Sequence, residues 1–235
     1  MSKKTTKKDE YDNFTKIANE WWKPQGKFKA LHQITPVRLK YIIKNLPNKK
    51  VQNLNILDLG CGGGLICEPL ARLKAKVTGI DFVKENIEIA KKHAIISNLK
   101  INYIHGNLDS FQIKKKYDVI LMLEVIEHLE DWQSVFKKIK KNLNKNGTLI
   151  ISTINKTFFS KFFAIFLAEQ ILEWVPKNTH NFNKFVRPDE LKNILIENNF
   201  SIENITGMNY NIVSRQWDLS KTIHPINYFC TAKLI

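Results

Sequence analysis

The sequence is organised around a glycine-rich stretch, Asp58-Leu59-Gly60-Cys61-Gly62-Gly63-Gly64, which lies between two apolar segments. Residues 54–59 predict a short buried strand, and residues 65–73 predict an apolar helix. Glycines let the backbone turn sharply and approach a ligand closely. The carboxyl ends of parallel strands are where sheets of this kind bind ligands. The stretch therefore predicts a ligand-binding loop between a strand and a helix.

Strands and helices alternate on both sides of this loop, which predicts a parallel sheet with helices on both faces. The pattern predicts strands over residues 54–59, 76–81, 101–105, 117–123, 148–153, 200–207 and 228–234. Helical periodicity covers residues 13–46, with a break at Pro24-Gln25-Gly26, and also 84–97 and 131–143. We therefore predict an α/β fold with a mostly parallel seven-stranded sheet and an N-terminal helical cap. We expect the last two strands to pair as a hairpin at the sheet edge.

Length and composition exclude several classes of protein. The chain has 235 residues, of which 43% are apolar and 11% aromatic, so it can bury a large core and is not disordered as a whole. Its cysteines, Cys61, Cys67 and Cys230, are few and odd in number and form no C-x-x-C pair. A disulfide scaffold is therefore excluded, and a reducing, cytoplasmic compartment is expected.

The net charge of +15 arises mainly from lysine, because only four of the 37 basic residues are arginine. Nucleic-acid binders favour arginine for bidentate contacts, so we expect no nucleic acid partner. Attraction to anionic lipid headgroups needs only point charges and stays open. We predict a disordered basic tail over residues 1–12 and a single domain over 13–235, with an insertion at about 155–187. No apolar run reaches the 20 or so residues that a membrane span needs.

The residues around the glycine loop favour S-adenosylmethionine as the cofactor. Asp81 ends the second strand, 21 residues after Gly60, where a carboxylate accepts the ribose hydroxyls of an adenosine group. Asp58 suits a cationic part of the ligand, and Gly60 and Gly62 allow its close approach. The third glycine of the dinucleotide fingerprint would fall at Leu65, so NAD is less favoured.

A second polar position follows the third predicted strand, at Asn107-Leu108-Asp109. Residues at this point of such a sheet can hold an adenine ring, with an apolar side chain against the ring and a polar group on its exocyclic nitrogen. Asp109 is therefore a candidate cofactor contact, and an ordinary turn is the alternative.

An acid–histidine cluster, defined as Glu124, Glu127 and His128, follows the fourth strand. On a helical turn, positions i, i+3 and i+4 share a face, so these side chains are expected to point together toward the glycine loop. They could bind a divalent metal, magnesium or zinc, that lowers the proton affinity of a phenol. Alternatively, Glu127 or His128 acts directly as the general base. The third interpretation is a capping and salt-bridge cluster without a catalytic role.

Together with these motifs, several further stretches resemble a known family. They are Trp21-Trp22 with Gly26, Phe28-Lys29-Ala30-Leu31-His32, Pro36-Val37-Arg38-Leu39, Val175-Pro176-Lys177, Thr179-His180, Lys184-Phe185, Thr206-Gly207 and Asn227-Tyr228. The chain resembles the class I S-adenosylmethionine-dependent methyltransferases and, more closely, the ubiquinone-biosynthesis O-methyltransferases, from about Phe14 to its end. The glycine loop is shared by many methyltransferases, whereas the Trp-Trp and Val-Pro-Lys stretches are much more specific.

The resemblance implies a Rossmann-like class I methyltransferase fold and O-methylation of polyprenylated catechol intermediates, 2-polyprenyl-6-hydroxyphenol and 3-demethylubiquinol. It also implies that S-adenosylmethionine contacts Arg38, Gly60, Asp81 and Leu123, with the Arg38 guanidinium on the methionine carboxylate. The acid–histidine cluster would be the metal or base site. The alternatives are another small-molecule phenol O-methyltransferase and a non-catalytic S-adenosylmethionine-binding scaffold for other ubiquinone-biosynthesis enzymes.

The predicted insertion is unusually apolar between Phe158 and Trp174, and lysines flank it. A surface helix of a soluble protein would show a narrower apolar face. The segment is either an apolar helical lid over the active site or a helix in the membrane interface that receives a polyprenyl tail. We hypothesise that docking on an anionic membrane exposes a groove for the tail. This places the protein at the inner face of the cytoplasmic membrane, as a peripheral protein.

Overall fold

The computed structural model describes residues 11–129, 131–157, 185–211, 216–220 and 226–235. Most of the predicted basic tail and most of the predicted apolar insertion lie outside the described residues. Within them, no helix is long and apolar enough to cross a membrane.

Among the described residues, eight strands form one sheet. They are β1 (Asn55–Leu59), β2 (Lys76–Asp81), β3 (Asn102–His105), β4 (Tyr117–Leu123), β5 (Leu143–Ile154), β6 (Phe200–Asn211), β7 (Gln216–Ser220) and β8 (Asn227–Leu234). Their order is β3-β2-β1-β4-β5-β8-β6-β7. The first five strands pair in parallel, and β8, β6 and β7 add antiparallel pairs. The predicted Rossmann-like, mostly parallel architecture is confirmed.

The helices connect these strands and cover both faces of the sheet. They are α1 (Lys29–Asn45), α2 (Cys67–Arg72), α3 (Lys84–Ile96), α4 (Trp132–Asn142) and α5 (Pro188–Glu197). At the start of α4, the Asp131 carboxylate accepts a hydrogen bond from the Ser134 backbone amide, which caps the helix. At the start of α5, the Glu190 carboxylate accepts from the backbone amide of Arg187, and Pro188 occupies the first helical position.

The central strands bury both of their faces, which explains why they are continuous apolar runs in the sequence. In β4, Val119 and Leu121 belong to the core on the α1–α3 side of the sheet. Ile120 and Met122 belong to the core on the α4–α5 side. Successive side chains of one strand thus contribute in turn to two apolar layers, one on each face of the sheet. Their packing holds the carboxyl ends of β1, β2 and β4 at one edge.

The prediction of seven strands was wrong, because the described residues also form β7, which the sequence did not predict. β6 continues to Asn211, beyond its predicted end at residue 207, and Gly207–Asn211 pair with β7. The polar residues of β7 hid this strand in the sequence, although Trp217 and Leu219 pack against the core. The predicted antiparallel pairing of the last two predicted strands is confirmed, because β6 pairs with β8. Their predicted place at the sheet edge was wrong, because β8 lies between β5 and β6 and the described edge strand is β7.

The N-terminal segment is helical over residues 11–17 and forms a 3₁₀ turn at Ala18–Glu20. Residues 11 and 12, which the sequence assigns to a disordered tail, are therefore part of a helix. The aromatic ring of Tyr11 explains the difference, because it lies 6.2 Å from the Phe82 ring and its hydroxyl donates to Glu85. The chain then turns through the predicted break and enters α1, so the N-terminal cap is made of two helical segments.

Candidate active site

The glycine loop leaves β1 in a conformation that side chains would not tolerate. Gly60 and Gly64 have φ angles of 75° and 91°, in the left-handed region that favours glycine. A Cβ atom on Gly60 would lie 2.4 Å from Val125 Cγ2, and one on Gly64 would lie 2.2 Å from the Tyr103 hydroxyl. The loop is therefore held tightly between Tyr103 of β3 and Val125, which follows β4.

Asp81 ties the end of β2 to this loop. Its carboxylate is buried and accepts hydrogen bonds from the Gly62 amide at 2.9 Å, the Val83 amide at 2.9 Å and Asn86 Nδ2 at 3.3 Å. The predicted proximity of Asp81 to the glycine loop is thus present in the structure. Because three donors point at it, the carboxylate has a fixed orientation.

Asp58 and Arg38 are two buried charged residues of the site. Asp58 is buried, and the thiol of Cys67 donates to it at 3.3 Å. Burial raises the pKa of Asp58 to about 7, while the Cys67 thiol and the positive charge of Arg38 lower it. Arg38 is also buried, with its Nη2 3.3 Å from Glu124 Oε1.

The buried Arg38 guanidinium fits an anionic ligand group. Its Nε and Nη2 atoms donate no hydrogen bond to any atom of the described residues. Buried donors in proteins are almost always bonded, and while Nη2 has an ion pair with Glu124, Nε has no partner among the described residues, so Nε indicates that an acceptor binds here. A carboxylate matches the planar fork of a guanidinium with two parallel hydrogen bonds. The methionine part of S-adenosylmethionine carries such a carboxylate, so the residues present fit this cofactor.

The acid–histidine cluster begins directly after β4. Glu124 has a φ of 56°, and its Oε1 accepts from Ser152 Oγ at 2.9 Å and from Asn227 Nδ2 at 3.4 Å. The turn Ile126–His128 then places Glu127 in the interior, only 4% exposed. Glu127 Oε2 accepts from Thr153 Oγ1 at 2.9 Å.

The surroundings of Glu127 are those of a proton acceptor. Burial and the negative charge of Glu124 raise the pKa of Glu127 to about 7, although His128 and the hydrogen bond from Thr153 act to lower it. Its second oxygen, Oε1, is buried and accepts no hydrogen bond from any described atom. A carboxyl group with a pKa near neutrality is half ionised under physiological conditions, as general bases need to be.

The predicted metal site is not formed. Over the described ranges, no three histidine, cysteine, aspartate or glutamate side chains come together as a group that could hold a metal ion. Glu124 is turned toward Arg38 and Ser152, Glu127 is turned inward to Thr153, and His128 stays half-exposed. The left-handed backbone at Glu124 breaks the single helical face that the sequence spacing suggested. In the described structure these three side chains therefore do not converge on one point.

The remaining predicted cofactor residues lie where the sheet topology puts them. Leu123 is buried at the end of β4, and Asp109 lies in the turn that follows β3. The Asn107 side chain accepts from the Asp109 amide, and Lys138 donates to the Asp109 carbonyl. The structure thus pairs Arg38 with Glu124 and places Asp58 near enough for the charge of Arg38 to lower its pKa, while Asp109 lies in a separate loop.

Sequence reasoning missed two polar partners of the site. Asn86 donates to Asp81 from the first turn of α3, and Thr153 donates to Glu127 from β5. Only their position in the fold indicates a role for these residues. Each lies near the end of a strand or the start of a helix at the same sheet edge. Single asparagine and threonine residues carry no motif, so the sequence could not single them out.

Comparison with known proteins agrees with this geometry. A methyltransferase-domain family model matches residues 31–205. The ubiquinone biosynthesis O-methyltransferase of Pelagibacter ubique is 45% identical over 229 residues, covering 94% of this chain and 95% of that protein. The enzyme of the same name from Rickettsia typhi is 43% identical over 224 residues, covering 94% of this chain and 91% of that protein.

Solved structures share the fold at much lower identity. The magnesium protoporphyrin IX methyltransferase of Synechocystis, solved with bound S-adenosylhomocysteine, has a TM-score of 0.69 and 20% identity, covering 98% of this chain and all of that one. An S-adenosylmethionine-dependent methyltransferase of Thermotoga maritima has a TM-score of 0.68 and 16% identity, covering 95% of this chain and 98% of that one. The fold, the family model and the full-length relatives agree, and the chain belongs to the ubiquinone biosynthesis O-methyltransferase family.

Proposed function

We propose that this protein transfers the methyl group of S-adenosylmethionine to a phenolic hydroxyl of polyprenylated catechol intermediates in ubiquinone biosynthesis. The names of the full-length relatives support the reaction and the pathway. One observation carries the chemistry. Glu127 has a buried carboxyl group with a pKa of about 7. It follows β4, which pairs with β1, the strand that leads into the glycine loop.

The cofactor binds along the carboxyl ends of β1, β2 and β4 and supplies the methyl group. Arg38 binds its carboxylate through the buried guanidinium, whose Nε has no hydrogen-bond partner among the described residues and whose Nη2 also pairs with Glu124. Asp58 faces its cationic portion, and Asp81 accepts from the ribose hydroxyls. The other contacts come from Gly60, Gly62, Leu123 and Asp109.

On the acceptor side, Glu127 takes the phenolic proton. A free phenol has a pKa of about 10, so it is almost entirely protonated near neutrality and needs a base. As the phenolic oxygen attacks the methyl group of the cofactor, the phenolic proton moves to Oε1 of Glu127. Thr153 holds Oε2 of the same carboxylate in place. Glu124 acts through its charge, which raises the pKa of Glu127. Exclusion of water and alignment of the reacting atoms supply most of the acceleration.

The protein reaches its substrate by binding peripherally to an anionic membrane, at the inner face of the cytoplasmic membrane. A net charge of +15 and the lysine-flanked apolar residues 158–174 support this part of the proposal. Flotation with vesicles tests it. Binding should be strong with phosphatidylglycerol vesicles at low salt, and weak with neutral vesicles or at high salt. Equal recovery with neutral and anionic vesicles would contradict the electrostatic attachment.

The reaction is tested with S-adenosylmethionine and a short-tailed demethylubiquinol, with the methylated product detected by mass spectrometry. The wild-type protein and Asp118→Asn should form product, because Asp118 lies at the opposite end of β4 from Glu127 and bonds Asn55 and Asn144. Glu127→Gln should form almost none. Intact cofactor binding without product in the wild type would overturn the proposed acceptor and favour a scaffold.

A further inference from the structure

A chain of buried hydrogen bonds links the N-terminal segment to the carboxylate of Asp81. Trp21 Nε1 donates to Asn86 Oδ1 at 2.7 Å. The amide nitrogen of the same Asn86 side chain donates to Asp81 Oδ1 at 3.3 Å. Trp21 and Asn86 are 6% and 2% exposed, so water does not compete for these bonds. Neither residue belongs to the cofactor contacts described above.

The ring of Trp21 is fixed on both of its faces. It lies so close to the glycine loop that a Cβ atom on Gly62 or Gly63 would be 2.4 Å from its ring atoms. On the other side it stacks on Phe28, with ring centroids 3.8 Å apart and planes inclined by 9°. His32 Nε2 also lies 2.8 Å from the Trp21 carbonyl oxygen. The indole N–H therefore has a defined position from which it can orient a partner.

Asn86 transmits this orientation because both ends of its amide are used. Its oxygen is held by Trp21, which leaves the amide nitrogen pointing at Asp81. A flipped amide would place its oxygen against a carboxylate and its nitrogen against an N–H donor, both unfavourable. The indole thus fixes which end of Asn86 faces the carboxylate. The Val83 and Gly62 amides hold the carboxylate from two other directions.

We propose that Trp21 and Asn86 are positioning residues. They orient the Asp81 carboxylate so that the site prefers a cofactor that carries the ribose hydroxyls. This inference rests on the proposed role of Asp81 in the cofactor site. It adds that the N-terminal segment sets the ribose selectivity of the site through two side chains that do not touch the ribose.

The test is binding by calorimetry of two probes, S-adenosylhomocysteine and its 2′-deoxy analogue. The wild-type protein should prefer S-adenosylhomocysteine, because Asp81 accepts from the ribose hydroxyl. Trp21→Phe keeps an aromatic ring but removes the N–H donor. Asn86→Leu removes the amide oxygen and the amide nitrogen and keeps a side chain of similar volume. Each variant should lose about tenfold in affinity for S-adenosylhomocysteine and clearly less for the deoxy analogue.

A matched control separates positioning from loss of stability. Tyr41→Phe removes a buried hydroxyl that bonds Thr231 and Asn204 elsewhere in the fold, and it should leave both affinities unchanged. Trp21→Phe and Asn86→Leu should also be non-additive when combined, because both act on one contact.

The outcomes distinguish this inference from the proposed function. If the wild type binds both probes equally, the assignment of Asp81 to the ribose fails, and the proposed cofactor geometry fails with it. If the wild type discriminates and the variants lose affinity for both probes by the same factor, Trp21 and Asn86 have only a structural role. That second result would overturn the inference and leave the proposed function intact.

Discussion

The cofactor side and the acceptor side of this site each contain one buried carboxyl group, and burial raises the pKa of both to about 7. Their neighbours differ. Asp58 has the Cys67 thiol as a hydrogen-bond donor and the positive charge of Arg38 nearby, and both lower its pKa. At Glu127 the negative charge of Glu124 adds to the effect of burial, whereas His128 and the hydrogen bond from Thr153 lower the pKa.

This difference teaches that the surroundings, and not the residue type, give each carboxyl group its task. Asp58 has partners that favour its anionic form, which suits a group that attracts the cationic part of a cofactor. Glu127 has a neighbour that favours protonation, which suits a group that receives a proton from a phenol. Each of the following experiments acts on one side of the site and leaves the other as an internal reference.

Glu127→Gln should separate the two sides most strongly. The amide cannot accept a proton as the carboxylate does, and removal of a general base costs about 10²- to 10⁴-fold in turnover. Cofactor affinity should change less than about twofold, because Glu127 lies on the acceptor side. The measurements are kcat with a short-tailed demethylubiquinol and the Kd of S-adenosylhomocysteine. Turnover that stays within tenfold of the wild type would remove Glu127 from the role of base.

Gly64→Ala should act on the cofactor side alone. The new Cβ would meet the Tyr103 hydroxyl at 2.2 Å, and the φ of 91° is unfavourable for alanine. Displacement of the loop should weaken cofactor binding about 10- to 100-fold and destabilise the fold by about 1–3 kcal/mol. The measurements are the Kd of S-adenosylhomocysteine and chemical denaturation.

Gly106→Ala is the matched control for this change. Its new Cβ would have Ile80 Cγ2 at 3.7 Å as its nearest neighbour, which is an ordinary contact. It should therefore bind the cofactor with nearly wild-type affinity. Equal losses in both glycine variants would mean that the tight packing under Gly64 does not position the loop.

The pH dependence of cofactor binding should report Asp58. With a pKa of about 7, Asp58 is mostly neutral at pH 6 and mostly anionic at pH 8. Because the anion attracts the cationic part of S-adenosylmethionine, affinity should rise as the pH increases through 7, by up to about tenfold for one titrating group. Calorimetry without an acceptor measures this rise. Asp58→Asn should show a flat profile from pH 6 to pH 8, and an unchanged slope would assign the titration to another group.

The sequence predicted the cofactor side better than the acceptor side, for a physical reason. Gly60, Gly62 and Asp81 are constrained by backbone turns and strand ends, which are local and leave a motif. The spacing of Glu124, Glu127 and His128 suggested one helical face, but the left-handed backbone at Glu124 separates them. That conformation depends on contacts with distant Ser152 and Arg38, which spacing cannot reveal.

The fold shows the same division between local and distant information. The strands β1, β2 and β4 are mostly apolar runs, and the sequence located all five strands from β1 to β5, although β5 begins at Leu143 instead of residue 148. It missed β7, because this edge strand is polar and is defined mainly by pairing with the end of β6. The position of β8 between β5 and β6 likewise depends on pairing between residues that are far apart in the sequence. The periodicity within one segment therefore cannot predict it.

The smallest expected effect comes from the thiol that donates to Asp58. In Cys67→Ser a hydroxyl replaces the thiol 3.3 Å from the carboxylate, and a hydroxyl is the stronger hydrogen-bond donor. A stronger bond to the charged form lowers the pKa of Asp58, so the midpoint of the cofactor-binding profile should move to lower pH by less than about one unit. Affinity should rise about threefold at pH 6 and stay unchanged at pH 8, where Asp58 is already ionised. Cys230→Ser, a buried thiol in β8, serves as the control and should not move the midpoint. A midpoint that moves to higher pH in Cys67→Ser would show that the donor strength of residue 67 does not govern Asp58. The contrast between Asp58 and Glu127 would then depend on their charged neighbours, chiefly Arg38 and Glu124.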